Sequence, residues 1–185
     1  MSVSSAYKWC SPFALSVANR IAARTGIYCG PASIAWIAAV WNDVKGRPYD
    51  ALGRLSNKTL FPNGPRDFHH DIPGFQMNLS DLLRRETHDE LKLDSRLYFT
   101  YSAIHSVLGS SSMPFIIRMP SPKIKDGLHY VTLFRSNPGP PYEFYWQDNG
   151  IYRSNEKIGE GLSKSKKTSS GLHFFPWGAK RVTHV

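Results

Sequence analysis

The chain has 185 residues, 41% of them hydrophobic and 20% charged, which suits one compact domain with a real core and excludes an intrinsically disordered chain. Lys and Arg number 23 against 14 Asp and Glu, a net charge of +9, so the surface favours anionic partners. Nucleic acid is not expected as a direct ligand, because the one dense basic cluster (Lys164, Lys166 and Lys167) has no zinc-finger spacing or aromatic nucleic-acid motif beside it.

No apolar run approaches the ~20 residues that cross a bilayer, so no membrane partner is expected. The opening "MSVSSAYKWCSPFALSVANR" carries no basic leader with a long apolar block, so no signal peptide is read. With only Cys10 and Cys29 there is no disulfide framework, and a reducing compartment fits.

"SPFALSVANRIAARTG" predicts a helix, capped by Ser11, with Pro12 in its first turn and Gly26 beyond its end. "GPASIAWIAAVWNDVKG" predicts a second, stronger helix closed by Gly46, with Ile34, Ile37, Ala38 and Trp41 on its buried face. Residues 44–76 read as loop with short elements. "NLSDLLRRETHDEL" predicts a helix capped by Asn78 or Ser80, with Leu82 and Leu83 on its apolar side, and "TYSAIHSVLGS" a short helix ending at Gly109.

Strands follow. "PFIIRM" covers Pro114 to Met119, "HYVTLF" starts at His129, and "YEFYWQD" ends at Asp148, the last two joined by "RSNPGPP". "HFFPW" reads as one further strand, and 154–171 as a flexible stretch. Helices first and strands later predict a single α+β domain over 1–185 with an antiparallel sheet.

Cys29 stands immediately before the second helix. A helix N-terminus offers partial positive charge and unpaired N–H groups, which favour a thiolate and can hold an oxyanion, the Cys29 N–H among them. The bland alternative is a small buried hydrophobe. A thiol nucleophile needs a base and the base an orienting acceptor. His129 opens a strand on the face shared with Val131 and Leu133, and a hairpin brings Asp148 beside it. His69 and His70 lack further ligands at metal spacing, so no metal is expected; nor is any cofactor. His88 and His105 fall on predicted helices and His173 and His184 near the tail.

"YCGPASIAWIAAVW", "PFIIRM", "HYVTLF" and "WQDNG", in that order over roughly residues 15–150, resemble papain-like cysteine peptidases. The likeness runs closest to the double-glycine leader peptidase domains of bacteriocin exporters. It implies a papain-like fold in which the nucleophile at a helix N-terminus packs on a sheet carrying His and Asp. It also implies roles for Cys29 as nucleophile, His129 as base and Asp148 as orienting acid. The sequence departs from the family where Gln usually stands about six residues before the nucleophile: here the residue is Ala23, with Asn19, Arg24 and Thr25 nearby.

The expected function is therefore a cysteine endopeptidase that cleaves a cytosolic protein, after a Gly-Gly-like segment by resemblance. No exporter domain is expected beside it, and such free-standing domains resemble bacterial toxins or effectors, which implies delivery into another cell and a separate inhibitor protein, acidic to match the +9 charge. A peptidoglycan amidase, a deamidase or transglutaminase using the same thiolate, and a non-catalytic basic binding protein are the alternatives.

Overall fold

The computed structural model describes residues 7–23, 28–56, 59, 74–98, 101–120, 128–135, 143–148, 151–154 and 178–185. A 3-10 turn at Tyr7–Cys10 leads into helix α1 (Pro12–Ala23). The Ser11 hydroxyl accepts from the Ala14 N–H at 3.1 Å, the cap expected of serine at that position. Helix α2 (Cys29–Val44) follows and stops where Gly46 takes φ +68°. The expected one-sided burial of α2 is corrected: every residue from Gly30 to Asn42 is buried. Small Ala and Ser alternate with Ile and Trp, so α1, α3 (Ala51–Arg54), a later helix and the sheet can all close on it.

That later helix, α4, spans Gly74–Glu86 and so begins before the expected caps. Ser80 does not cap it. Its hydroxyl instead accepts from the Leu93 N–H at 3.1 Å, joining α4 to strand β1 (Leu91–Leu93). Leu83 is fully buried as expected, with Leu79 beside it in the core and Leu82 only partly covered. His88 lies beyond the helix, in a left-handed turn with Asp89 (φ 54° and 59°), because the chain reverses at once into β1. Helix α5 (Tyr101–Ser110) precedes the strands β2 (Phe115–Pro120), β3 (Leu128–Arg135), β4 (Phe144–Gln147), β5 (Ile151–Ser154) and β6 (Ala179–His184).

The six strands form one antiparallel sheet in the order β1-β6-β2-β3-β4-β5. The class is α+β. β1 and β5 were not expected from the sequence. The stretch 154–171 expected to be flexible begins at Ser154, the last residue of β5, and its remainder, with "HFFPW", lies outside the described residues; the C-terminal strand that is described, β6, pairs between β1 and β2.

The two faces of the sheet carry separate cores. Tyr130 and Phe134 of β3 point to the α1/α2 side, where Trp36 and Phe134 meet at 4.9 Å between ring centroids. Val131 and Leu133 point the other way, packing with Phe115 and Ile117 against Ile104 and Leu108 of α5. Among the described residues no helix is long and apolar enough to cross a membrane.

Candidate active site

Cys29 is the first residue of α2. Tyr28 before it is extended (φ −70°, ψ 152°) and supplies no side-chain cap. The Ala32 N–H donates to the Tyr28 carbonyl at 2.8 Å, the first bond of the helix. As first-turn groups, the N–H groups of Cys29 and Gly30 have no acceptor within the helix, and Pro31 has no N–H to satisfy. Farther in, the Ser33 hydroxyl donates back to the Cys29 carbonyl at 3.1 Å, fixing the first turn. Cys29 is half-buried against the main core.

His129 is the second residue of β3. The contacts Trp36–Phe134 and Cys29–His129 place α2 roughly parallel to β3, so both elements begin at the same end of the molecule. Thr132 of β3 pairs with Gln147 of β4, and Asp148 follows one residue later. The His129 imidazole donates from Nε2 to Asp148 Oδ1 at 2.8 Å. The side chain of His129 is 16% exposed and that of Asp148 38%, so the pair sits at the rim of the fold where solvent reaches it.

Burial alone would lower the pKa of His129, but its hydrogen bonds to Asp148 and Cys29 and their negative charge outweigh it and hold the imidazole up at about 9. Cys29 is thus a hydrogen-bond partner of the ring that Asp148 orients. With Nε2 engaged by Asp148, Nδ1 is the nitrogen left for the thiol. The three residues singled out from the sequence are brought together, by a helix start, a strand start and a strand end.

Both cysteines are free. Cys10 lies in the 3-10 turn, and burial, with the Glu143 charge, pushes its thiol up to about 11. Ala23 closes α1 and is exposed, as is Asn19 one turn earlier, while Arg24 and Thr25 lie outside the described residues. His184 packs its ring edge-on to Trp41 at 5.3 Å, far along α2 from Cys29. His69, His70 and His173 lie outside the described residues, and among those described no group of three or more His, Cys, Asp or Glu side chains could hold a metal ion.

Two buried polar side chains beside the site carried no signal in the sequence. Thr132 and Gln147, 0% and 2% exposed, pair across β3 and β4. Only the register sets them opposite one another.

Comparison of the chain with protein-family models, with curated proteins and with solved structures returns no match.

Proposed function

We propose that the protein is a cysteine peptidase of papain-like fold, with Cys29 as nucleophile, His129 as acid and base, and Asp148 as the acceptor that orients the imidazole. The observation that carries this reading is the single ring joining Asp148 at 2.8 Å on one nitrogen to the Cys29 thiol at a helix N-terminus.

In this reading His129 takes the thiol proton and the Cys29 thiolate attacks a peptide carbonyl carbon, forming a C–S bond. The oxyanion that develops is held by the N–H groups of the α2 start, that of Cys29 first. His129 then gives its proton to the departing amine nitrogen as the C–N bond breaks, leaving a thioester. Water, deprotonated by the same imidazole, adds to the thioester carbon, and the C–S bond breaks to release the acid and the thiolate. Asp148 stays ionised throughout and stabilises the imidazolium. A backbone-built oxyanion site accommodates Ala23 in place of a side-chain donor.

The substrate in this proposal is a cytosolic protein of another cell, cut after a small, extended segment of Gly-Gly type, and the producing cell is protected by an acidic inhibitor protein. Expression in a bacterial cytosol tests both parts. New protein N-termini and slowed growth should appear with the wild type and with neither Cys29→Ala nor His129→Ala, and an acidic partner should restore growth and co-purify. Identical termini with the wild type and Cys29→Ala would overturn the peptidase.

A further inference from the structure

Near its far end, α2 carries a charged and aromatic group that the peptidase reading does not use. Lys8, in the 3-10 turn, is only 9% exposed. Its ammonium lies 4.1 Å from the centroid of the Trp41 ring and 5.1 Å from that of Trp9. A lysine is rarely buried this far without a paired carboxylate, yet among the described residues Lys8 has no ion pair and no oxygen acceptor for its ammonium. The charge that acts on it is the Lys45 ammonium, of the same sign. An indole face attracts a cation but supplies no full acceptor for three N–H groups, so the two tryptophans offset only part of the cost of burial. Burial and Lys45 together lower Lys8 to about 8, as befits an ammonium without a counter-charge.

The one carboxylate of the group is already engaged. Glu90 Oε2 accepts from Trp41 Nε1 at 2.6 Å and from Arg47 Nη2 at 3.0 Å, and Lys45 Nζ stands 3.7 Å from the same oxygen. Lys45 Nζ is also 5.1 Å from the Trp41 centroid. Lys8, Lys45 and Arg47 thus surround one indole and one carboxylate, and two positive charges are left over within the group. The Lys45 side chain is 45% exposed, so the group opens to solvent on that side. One phosphate group, with a charge of about −1.5 to −2 near neutral pH, matches the excess, whereas a carboxylate would balance half of it. Lysine serves phosphate as a point charge and needs no forked geometry.

We propose that Lys8 and Lys45, beside the Trp41 ring, form a binding site for a phosphate group, either free inorganic phosphate or the end of a phosphate monoester. The Lys8 ammonium donates from the floor of the site and the Lys45 ammonium closes over the anion from the rim. Arg47 stays on Glu90 and holds that carboxylate off Lys8. The rings of Trp9 and Trp41 already fix the Lys8 ammonium, so binding has to order only the anion and the Lys45 stem. Trp41 stands twelve residues along α2 from Cys29, about 18 Å at the helical rise. The site is therefore separate from the Cys29 end and does not depend on the peptidase reading.

The test is an NMR titration of the full chain near neutral pH, following the Trp41 indole N–H as inorganic phosphate replaces chloride at constant ionic strength. A saturating shift is expected, with Kd on the order of 1 mM. Lys8→Met keeps the apolar stem and removes the ammonium, and should weaken phosphate binding about tenfold or more. Lys45→Met should weaken it about threefold or more. Urea unfolding in the same buffers is the second measurement. Phosphate should raise the wild-type midpoint, as a ligand of the folded chain does, and leave that of Lys8→Met where chloride puts it. Methyl phosphate separates the two sources. An affinity within about threefold of that for inorganic phosphate assigns the site to the end of a monoester, and loss of binding assigns it to the free ion.

A shift that does not saturate, or one that acetate reproduces at the same ionic strength, would overturn the site, because any counter-ion would then serve. So would a wild-type phosphate affinity in Lys8→Met. If Lys8→Met does not fold, Lys45→Met decides alone, since it alters an exposed side chain: an unchanged affinity there would overturn the proposal.

Discussion

At the scale of single residues, the two thiols are set apart by their surroundings rather than by their exposure, since both are half-buried. Cys10, held at about 11 by burial and Glu143, has almost no thiolate near neutral pH, while Cys29 shares a hydrogen bond with an imidazole held at about 9. Iodoacetamide at pH 7 should therefore alkylate Cys29 first, by a factor on the order of 100 or more. Peptide mapping reads this directly, and equal or faster labelling of Cys10 would sink the assignment of the nucleophile. Asp148 has a bland reading too, as a turn residue before Asn149 and Gly150. The two roles separate in a pH profile. As catalyst, the imidazolium is lost as pH rises through about 9, so the wild-type kcat/KM should decline there. Asp148→Asn removes the carboxylate charge that helps raise that value, so the decline should move down toward the ordinary ~6.5, with activity at pH 7 reduced on the order of tenfold. An unshifted decline in Asp148→Asn would return Asp148 to the turn alone.

At the scale of elements, α2 is fastened at both ends. Its start holds Cys29, and near its far end Asn42 donates from Nδ2 to the carbonyls of Ala38 and Glu86, both at 2.9 Å. The Glu86 carboxylate has no exposed surface and accepts from Tyr49 Oη at 2.7 Å, Arg54 Nε at 2.7 Å and Arg85 Nε at 2.8 Å. Burial would raise its pKa, but those three donors outweigh it and lower it. Glu86→Ala leaves the half-buried Tyr49 hydroxyl without its acceptor and should cost about 1–3 kcal/mol in urea unfolding. Arg54→Ala removes a guanidinium that is 56% exposed and should cost less than about 1 kcal/mol. Equal losses in the two variants would place the energy in the exposed arginine instead of the buried acid. None of this knot was legible in the sequence, where Glu86 is one charge in a polar run. What was legible had periodicity or punctuation: α1 from Ser11 and Pro12, α2 from its Ala-rich core and Gly46, β2 to β4 from short β-branched and aromatic runs. The grouping of the three candidate residues was legible for the same reason, since His129 and Asp148 mark the start and end of paired strands and Cys29 the start of a helix. β1 and β5, with three and four residues, fall below any periodic signal, and β6 is recognised only by the neighbours it pairs with. The Thr132–Gln147 juxtaposition depends on register, which no local pattern specifies.

At the scale of the whole molecule, the unusual titrations combine into one stability profile. Lys8 is buried above Trp41, with its ammonium 4.1 Å from that ring's centroid, and burial, with Lys45 nearby, lowers its pKa to about 8. His129 goes the other way, up to about 9. A raised histidine binds its proton more tightly when folded, so its contribution is complete below the unfolded value of ~6.5 and is lost as pH rises through about 9. A lowered lysine is the reverse: the unfolded chain holds the extra proton between about 8 and ~10.5, so stability is gained over that window. Cys10, raised to about 11, and Tyr49, raised by burial and by Glu86, both lose stability at the alkaline end. Stability should fall by about 2 kcal/mol between pH 6.5 and 8, where His129 titrates alone. It should stay nearly level from about 8 to 10, where Lys8 opposes first His129 and then Cys10, and fall again above about 10 as Cys10 and Tyr49 ionise. Urea unfolding at half-unit pH steps measures the curve, and two variants divide it. His129→Gln should abolish the first fall and leave the alkaline one. Lys8→Met should remove the level region, so that stability declines without pause from pH 6.5 upward. A wild-type curve flat between pH 6.5 and 8, or the same first fall in His129→Gln, would mean that His129 is not held in its charged form by Asp148 and Cys29, and the electrostatic basis of the site would fail with it.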